Sequence, residues 1–207
     1  NLKKAIGLSI ENGKGVHLSL GKSDLNNFHG AASLIGLETL EEIINQSVLS
    51  DNPPVTTGGS GDVVLLAQGK HQKFNFDSSI SSDVPSTAYL SGATNLSYIS
   101  GAIPHASDEK LSTQVLVGNI GPEIGLIIDT ANKKNHFTLP ATDNLEGQSI
   151  SYLYSKDALI GEEIFGIPGQ LSNKKVLKIS YLLHDLLRWL IILMIFGAIF
   201  LKLIGLI

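Results

Sequence analysis

The chain has 207 residues, room for one ordinary domain and a small appendage. Apolar residues make up 43% and charged residues 16%, with 21 glycines against 7 prolines, a balance that excludes collagen-like and low-complexity disordered chains. Cysteine is absent, which excludes disulfide scaffolds, thiolate zinc sites and cysteine nucleophiles, and the stretch up to residue 173 sets 10 lysines and no arginine against 18 acidic residues, which argues against a nucleic-acid partner.

The chain begins at Asn1 without a signal-peptide pattern and reads as a processed or partial product. Leu2, Ile6 and Ile10 lie at helical spacing, so residues 4–10 are expected as a helix with Gly13 just past its end. A hairpin through Asn12 and Gly13 is the alternative. Residues 16–20 alternate apolar and polar and stop at Gly21, a strand signature. Residues 31–49 read as an amphipathic helix. Leu34, Leu37, Leu40, Ile44 and Val48 share one face, and Glu38, Glu41, Glu42 and Asn45 the other. Pro53 and Pro54 close that region, and residues 55–57 form a short strand.

Gly58, Gly59, Ser60 and Gly61 then turn through Asp62 into an apolar helix over residues 63–71. Such a turn invites a phosphate reading, because helix amides attract anions. The chain shows neither a Gly-Lys-Ser/Thr loop nor a G-x-G-x-x-G fingerprint, and Asp62 brings negative charge to the spot. An ordinary tight turn with an acidic helix start is the preferred reading. Residues 74–86 are a Ser/Asp-rich loop, 87–90 a strand, 95–103 a short helix and 104–110 an exposed loop. Residues 114–117 read as a buried strand. Pro122 then starts a helix, where proline is tolerated, carried by Ile124, Leu126, Ile127, Ile128 and Ala131. Residues 136–139 are the next strand.

Asp143 follows that strand, at the carboxyl end of the sheet, where α/β folds hold their ligands. Loop capping is its expected role, with function as the alternative that makes it the most interesting carboxylate. Residues 157–165 are expected as a helix with a scaffold role. Asp157 caps it, Leu159 and Ile160 enter the core, and Gly161 permits close packing. Glu162 or Glu163 accepts amide hydrogen bonds from a nearby loop. Residues 166–169 break the chain. The six histidines are scattered, and His29 and His105 are placed in loops open to a ligand or acid/base role, or to plain solvation. No metal-ligand spacing, serine elbow or cofactor fingerprint appears, so no metal, cofactor or catalytic residue is assigned.

Residues 186–207 supply 22 positions, apolar apart from Arg188 and Lys202, and are expected as a membrane-spanning helix. Arg188 and Lys202 snorkel near its ends and Trp189 sits at the interface. Ahead of it, Lys174, Lys175 and Lys178 form a basic collar. Lys174, Lys178, Tyr181, Asp185 and Arg188 line one helix stripe, facing headgroups or, alternatively, a neighbouring helix. Positive charge on that side places the body in the cytoplasm of a membrane-anchored protein.

Ala141-Thr142-Asp143, Gln148, the run from Asp157 through Gly161, Glu162 and Glu163 to Phe165, Gly121-Pro122-Glu123 opening a helix, and a hydrophobic tail after Leu171 and Ser172 carry a resemblance. Together they resemble an uncharacterised prokaryotic membrane-protein family with a domain of unknown function, common in Chloroflexi-type bacteria. The resemblance covers about residues 1–200. It implies the architecture, often with another apolar segment ahead of the domain, and brings no activity with it. The chain departs from it in its long Ser/Asp-rich middle loop and its poverty of arginine.

The β–α alternation predicts a three-layer, Rossmann-like α/β domain over residues 1–170, with a largely parallel sheet and helices on both faces. Residues 171–207 form the collar and span. Two functions are expected. The first is a membrane-anchored assembly protein that self-associates or docks on a larger complex in the lipid bilayer. The alternative is a small-ligand or nucleotide-binding domain, enzymatic in one form, whose crevice is lined by Gly58, Gly59, Ser60, Gly61, Glu123 and Asp143.

Overall fold

Val115, Leu116 and Val117 are fully buried on a strand flanked on both sides by other strands, as a continuous apolar run in a parallel sheet requires. The computed structural model describes residues 1–48, 50, 52–77, 87–172 and 175–203. Its elements run α1 (Leu2–Glu11), β1 (Gly15–Gly21), α2 (Gly30–Gln46), β2 (Val55–Gly58), α3 (Gly61–Asp77), β3 (Ala88–Leu90) and α4 (Asn95–Ser107). There follow β4 (Leu111–Asn119), α5 (Ile124–Lys133), β5 (Phe137–Thr142), α6 (Leu145–Tyr154), a 3-10 turn (Gly161–Gly166), α7 (Ile167–Leu171) and α8 (Lys175–Leu203). The five strands are all parallel, in the order β3-β2-β1-β4-β5. The chain is therefore an α/β fold.

Successive side chains on a strand point to opposite faces, and two apolar cores result. Val16, Leu18, Leu20, Val115 and Val117 meet α1, α2, α3 and α7 on one face. Leu116 and Ile120 meet Tyr98, Ile99, Ile124, Ile127 and Ile128 of α4 and α5 on the other. The alternation in β1 reads as a half-solvated strand, yet all seven of its residues are buried. His17 and Ser19 face the α4 side rather than water. Gln114 Oε1 can only accept, so His17 Nδ1 donates to it at 2.5 Å, and Nε2 accepts from the Thr57 hydroxyl at 2.9 Å. Ser19 bonds to the Tyr98 hydroxyl. Burial is tolerable here because each polar atom is paired.

Several expectations shift. The first segment is the helix, not the hairpin, and ends before Gly13 at φ +64°. Leu34 and Val48 are exposed and Glu42 is buried, because α2 rests on the sheet through Gly36, Leu37, Leu40, Ile43 and Ile44. α3 reaches Asp77, and residues 78–86 of the expected loop lie outside the described residues. α4 runs through Pro104 instead of stopping at it. Ser100, whose carbonyl loses its donor there, is on the exposed side, while Ala102 and Ala106 are buried. β5 continues through Pro140, because it is an edge strand and the Pro140 carbonyl faces outward to the Leu159 amide at 2.9 Å. Residues 166–169 do not break the chain, since Pro168 sits in the first turn of α7.

The C-terminal expectation is corrected. Among the described residues no helix is long and apolar enough to cross a membrane. The uninterrupted run on α8 is Trp189 to Leu201, between Arg188 and Lys202. At 1.5 Å per residue it rises about 20 Å, against a hydrocarbon core of about 30 Å. Arg188 is paired with Glu162 of the body instead of reaching for headgroups, and Trp189 and Lys202 are exposed. Residues 204–207 and Lys174, on which the span and collar drew, lie outside the described residues, as do the side chains of Lys175, Lys178 and Tyr181. Placement in a cell membrane with a cytoplasmic body falls with the span.

Candidate functional site

The strand order reverses between β1 and β4. The chain proceeds from β1 outward to β2 and β3, then returns to the far side of β1 for β4 and β5. In open parallel sheets that switch point, at the carboxyl ends of the strands, is where a crevice opens. Here two glycines draw its walls together. Gly118 holds φ +137°, and a Cβ on it would lie 2.2 Å from the Leu20 carbonyl oxygen. Gly21 holds φ +69°, with the Asn119 backbone 2.7 Å from any Cβ. The Lys22 amide donates to the Asn119 carbonyl at 3.1 Å, and the Gly21 amide donates to the Tyr98 hydroxyl at 3.2 Å.

Over this pinch side chains tie the end of β4 to the segments that follow β5 and precede α2. Asp143, just past β5, accepts from Asn119 Nδ2 at 2.9 Å through one oxygen. Its other oxygen holds His29 Nδ1 at 2.6 Å. A carboxylate only accepts, so Nδ1 carries a proton and Nε2 is the nitrogen left outward on a ring 43% exposed. Phe28 meets the His29 ring edge-on, with centroids 5.6 Å apart, and is itself 97% exposed. Sequence reasoning weighed Asp143 and His29 separately; it passed over Phe28, Asp24 and Asn119.

Of the helix amino ends on this edge, those of α3, α4 and α6 are met by the chain's own side-chain acceptors, while α2 and α5 have no side-chain cap. Asp62 takes the amides of Val63 at 2.8 Å and Leu25 at 2.9 Å, and bonds to Ser60. The Ser60 hydroxyl and these amides hold its carboxyl below the usual carboxylate range. Ser60 also bonds to Asp24. Thr94 caps α4, and Glu123 accepts from the Gly121 amide at 3.3 Å. Asn144 accepts from the Gly147 amide at 3.0 Å. The groups after β2 that would cradle a phosphate are thus engaged internally, and the carboxylates of Asp24, Asp62, Glu123 and Asp143 oppose an anion. The anionic form of the ligand expectation fits this edge poorly.

The expected crevice residues do share the edge. The Gly59 amide donates to the Gly21 carbonyl at 2.8 Å, beside the Lys22 to Asn119 bond. With strands about 4.8 Å apart, Gly59 and Asn119 stand about 10 Å from each other. Gly58 is packed against Val64, Gly59 against Lys22, and Gly61 opens α3 toward solvent. Glycine at 58 and 59 therefore serves close packing. Two open grooves, of about 330 and 650 Å3, lie elsewhere, one beside α1 and the starts of β4 and β5, the other between α1, α2 and α7. Among the described residues no group of three or more His, Asp or Glu is placed to hold a metal ion.

A second polar cluster lies inside the fold. His105 is on α4, not in a loop, and stacks between His17, at 5.5 Å, and Tyr89, at 5.4 Å. His71 bonds to the Thr56 and Thr87 hydroxyls, each at 3.0 Å. Burial pushes the His17 imidazole down to about 3, against the pull of the Gln114 hydrogen bond, and His71 down to about 4. It also lowers His105 and His136.

The stretch from Asp157 to Glu163 holds different contacts from those expected. Asp157 accepts from Asn1 Nδ2 at 2.6 Å and caps no helix. Leu159 bridges to Ala141 and packs at the core edge, while Ile160 is exposed. Gly161 has open space around its Cβ position but φ +62°, so a left-handed turn, not packing, requires glycine. Glu163 accepts from the Ile160 amide at 3.2 Å, within its own turn, and Glu162 pairs with Arg188. Both carboxylates are exposed. Glu162→Gln and Glu163→Gln should each cost under about 1 kcal/mol. Thermal melts of the two variants check this, and a loss of several kcal/mol at either site would show burial that the fold does not provide.

Set against protein-family models, curated proteins and solved structures, the chain matches none of them.

Proposed function

We propose that the chain is a small-ligand-binding α/β domain whose site is the carboxyl edge at the β1/β4 switch point. The observation that carries this reading is the convergence of Asn119 at the end of β4, Asp143 just past β5 and His29 ahead of α2 upon the place where the strand order reverses. His29 is oriented by a carboxylate and presents one nitrogen outward, which suits it to hold a hydroxyl or amine of a bound molecule. Its partners in the network, Asp143 and Asn119, bring no hydroxyl for it to activate. Binding, not turnover, is therefore the function proposed.

A panel of small polar compounds, screened by amide chemical-shift changes in the full chain, tests the reading. Binders are expected to move the signals of residues 22–29, 119–123 and 143–144. His29→Ala and Asp143→Asn should abolish those shifts while preserving the fold. Binders that move only residues lining the groove at α1, and are indifferent to both variants, would overturn it.

A second reading rests on α8. Trp189, Leu190, Ile191, Ile192, Leu193 and Met194 are all exposed on it, and as consecutive residues about 100° apart they present apolar side chains around the helix circumference. Surface of that kind is covered in working proteins. Self-association or docking through α8 is the assembly role that this observation supports. A chain that sediments as a monomer at 50–100 µM (a concentration roughly a hundredfold above a micromolar dissociation constant) would remove it.

A further inference from the structure

We propose that the partner of α8 is a second copy of this chain, and that each α8 docks on the α6 face of the other copy. The inference rests on the assembly reading of α8 and adds the partner and the surface it meets.

The chain's own body does not cover this helix. α8 is one continuous helix from Lys175 to Leu203, tied to the body by the Arg188–Glu162 pair. Every side chain from Trp189 to Ile199 is exposed, so no side of that run rests on the domain it leaves. Sharp bends in helices need proline, glycine or an inserted group. The first glycine on α8 is Gly197, close to its end, and it has no proline. The helix therefore does not fold back, and its cover comes from another molecule.

The body carries a face of matching character. Leu145, Tyr152 and Leu153 recur at i, i+7 and i+8 on α6, an outward stripe 73–78% exposed. The Gly161 amide donates to Gln148 Oε1 at 3.3 Å, which sets the exposed Ile160 beside that stripe. These four side chains offer roughly 500 Å2, at about 200 Å2 for a large residue when fully exposed. An equal area of α8 meets them. Because one chain holds both helix and face, two copies satisfy each other by twofold exchange. The exchange counts the contact twice and removes about 2,000 Å2 from water, the size of a stable dimer.

Charge sets the direction of docking. Asp185 and Lys202 flank the apolar stretch of α8, and Glu146 and Lys156 flank the α6 stripe. All four are exposed, and none has an ion-pair partner among the described residues. With α8 antiparallel to the partner's α6, Lys202 meets the partner's Glu146 and Asp185 meets the partner's Lys156. A parallel arrangement would set like charge against like at both ends. Asp185 to Lys202 spans about 25 Å along the helix, while α6 is about 15 Å long with Lys156 two residues past its end. The long lysine stems take up the difference.

Sedimentation of the full chain tests this. Wild type is expected to be a dimer at about 50 µM, well above a micromolar dissociation constant. Leu153→Glu, at an exposed position, should raise the dissociation constant at least tenfold. Lys202→Glu and Glu146→Lys should each raise it about threefold or more, and combining them should restore wild-type affinity. Leu65→Glu is the indifferent control: Leu65 is exposed on α3, which Gln68 ties to β3 at the opposite edge of the sheet. A dimer indifferent to Leu153→Glu and to both charge reversals would overturn docking on α6 and leave α8 associating in another way. Weakened single variants without recovery in the pair would overturn the antiparallel arrangement, and an open series of larger species would overturn the twofold exchange. A monomer at that concentration would remove the assembly reading together with this inference.

Discussion

Between pH 6.5 and about 4 the domain is expected to lose roughly 5 kcal/mol of stability, and buried histidines are the reason. A histidine whose folded value is depressed favours the native state fully above the unfolded value near 6.5. Its contribution is lost as the pH falls below that, because only the unfolded chain takes up the proton. His17 is held down to about 3 and His71 to about 4, both chiefly by burial. One pH unit corresponds to about 1.4 kcal/mol per group. At pH 4.5, two units below the unfolded value, each imidazole has therefore cost about 3 kcal/mol, and the pair roughly 5. A domain of ordinary stability has about 5–15 kcal/mol in total. His105 and His136, also lowered, add in the same direction. Asp62, whose value is lowered by the Ser60 hydroxyl and the Leu25 amide, gives up its contribution only as the pH falls below the ordinary carboxylate range. Loss of the Asp62 contribution is thus a later event. Urea unfolding at pH 7.0, 6.0, 5.0 and 4.5 measures the effect, and a midpoint independent of pH across that range would refute it.

Gly118→Ala is expected to destabilise the fold by at least about 3 kcal/mol, the sum of a strained left-handed conformation and a backbone collision. The new methyl would meet the Leu20 carbonyl carbon at 2.7 Å and its oxygen at 2.2 Å, with the Gly21 amide nitrogen 3.1 Å away. These are backbone atoms of a central strand, so relief requires β1 and β4 to part where they pair. Gly69→Ala is the counterpart of opposite sign. It lies inside α3 with open space where its methyl would go, and alanine there should stabilise by about 0.5–1 kcal/mol. With 2–4 °C per kcal/mol for a chain of this size, the two variants should melt on opposite sides of wild type, about 6 °C or more below it for Gly118→Ala. Similar melting temperatures would mean that the β1/β4 approach is not the constraint described.

The order of elements was legible because its signals are local. The apolar run Val115–Val117 needs cover on both faces whatever surrounds it, and Leu37, Leu40 and Ile44 recur at helical spacing within a few residues of one another. Glycine and Asn turns, and Asn144 ahead of α6, act over three or four positions. Such features determined the α/β class, the parallel sheet and most element centres. What they could not determine is which polar residue meets which. His29 and Asp143 are 114 positions apart, and only the placement of β4 between β1 and β5 brings their loops together. The alternation in β1 specifies two faces but not their fates, so the burial of His17 and Ser19 under α4 was decided by the helix that returned over them. Leu34 and Ile160 look like core residues by hydropathy, yet α2 and the chain before the 3-10 turn meet the body through other sides. At the C-terminus, hydropathy predicted a membrane-spanning helix; α8 is helical, but among the described residues no helix is long and apolar enough to cross a membrane. The run between Arg188 and Lys202 is readable in the sequence, whereas the pairing of Arg188 with Glu162 is a property of the folded chain. Local sequence determines an element because its forces act between neighbours; a site is decided only when distant loops are packed side by side.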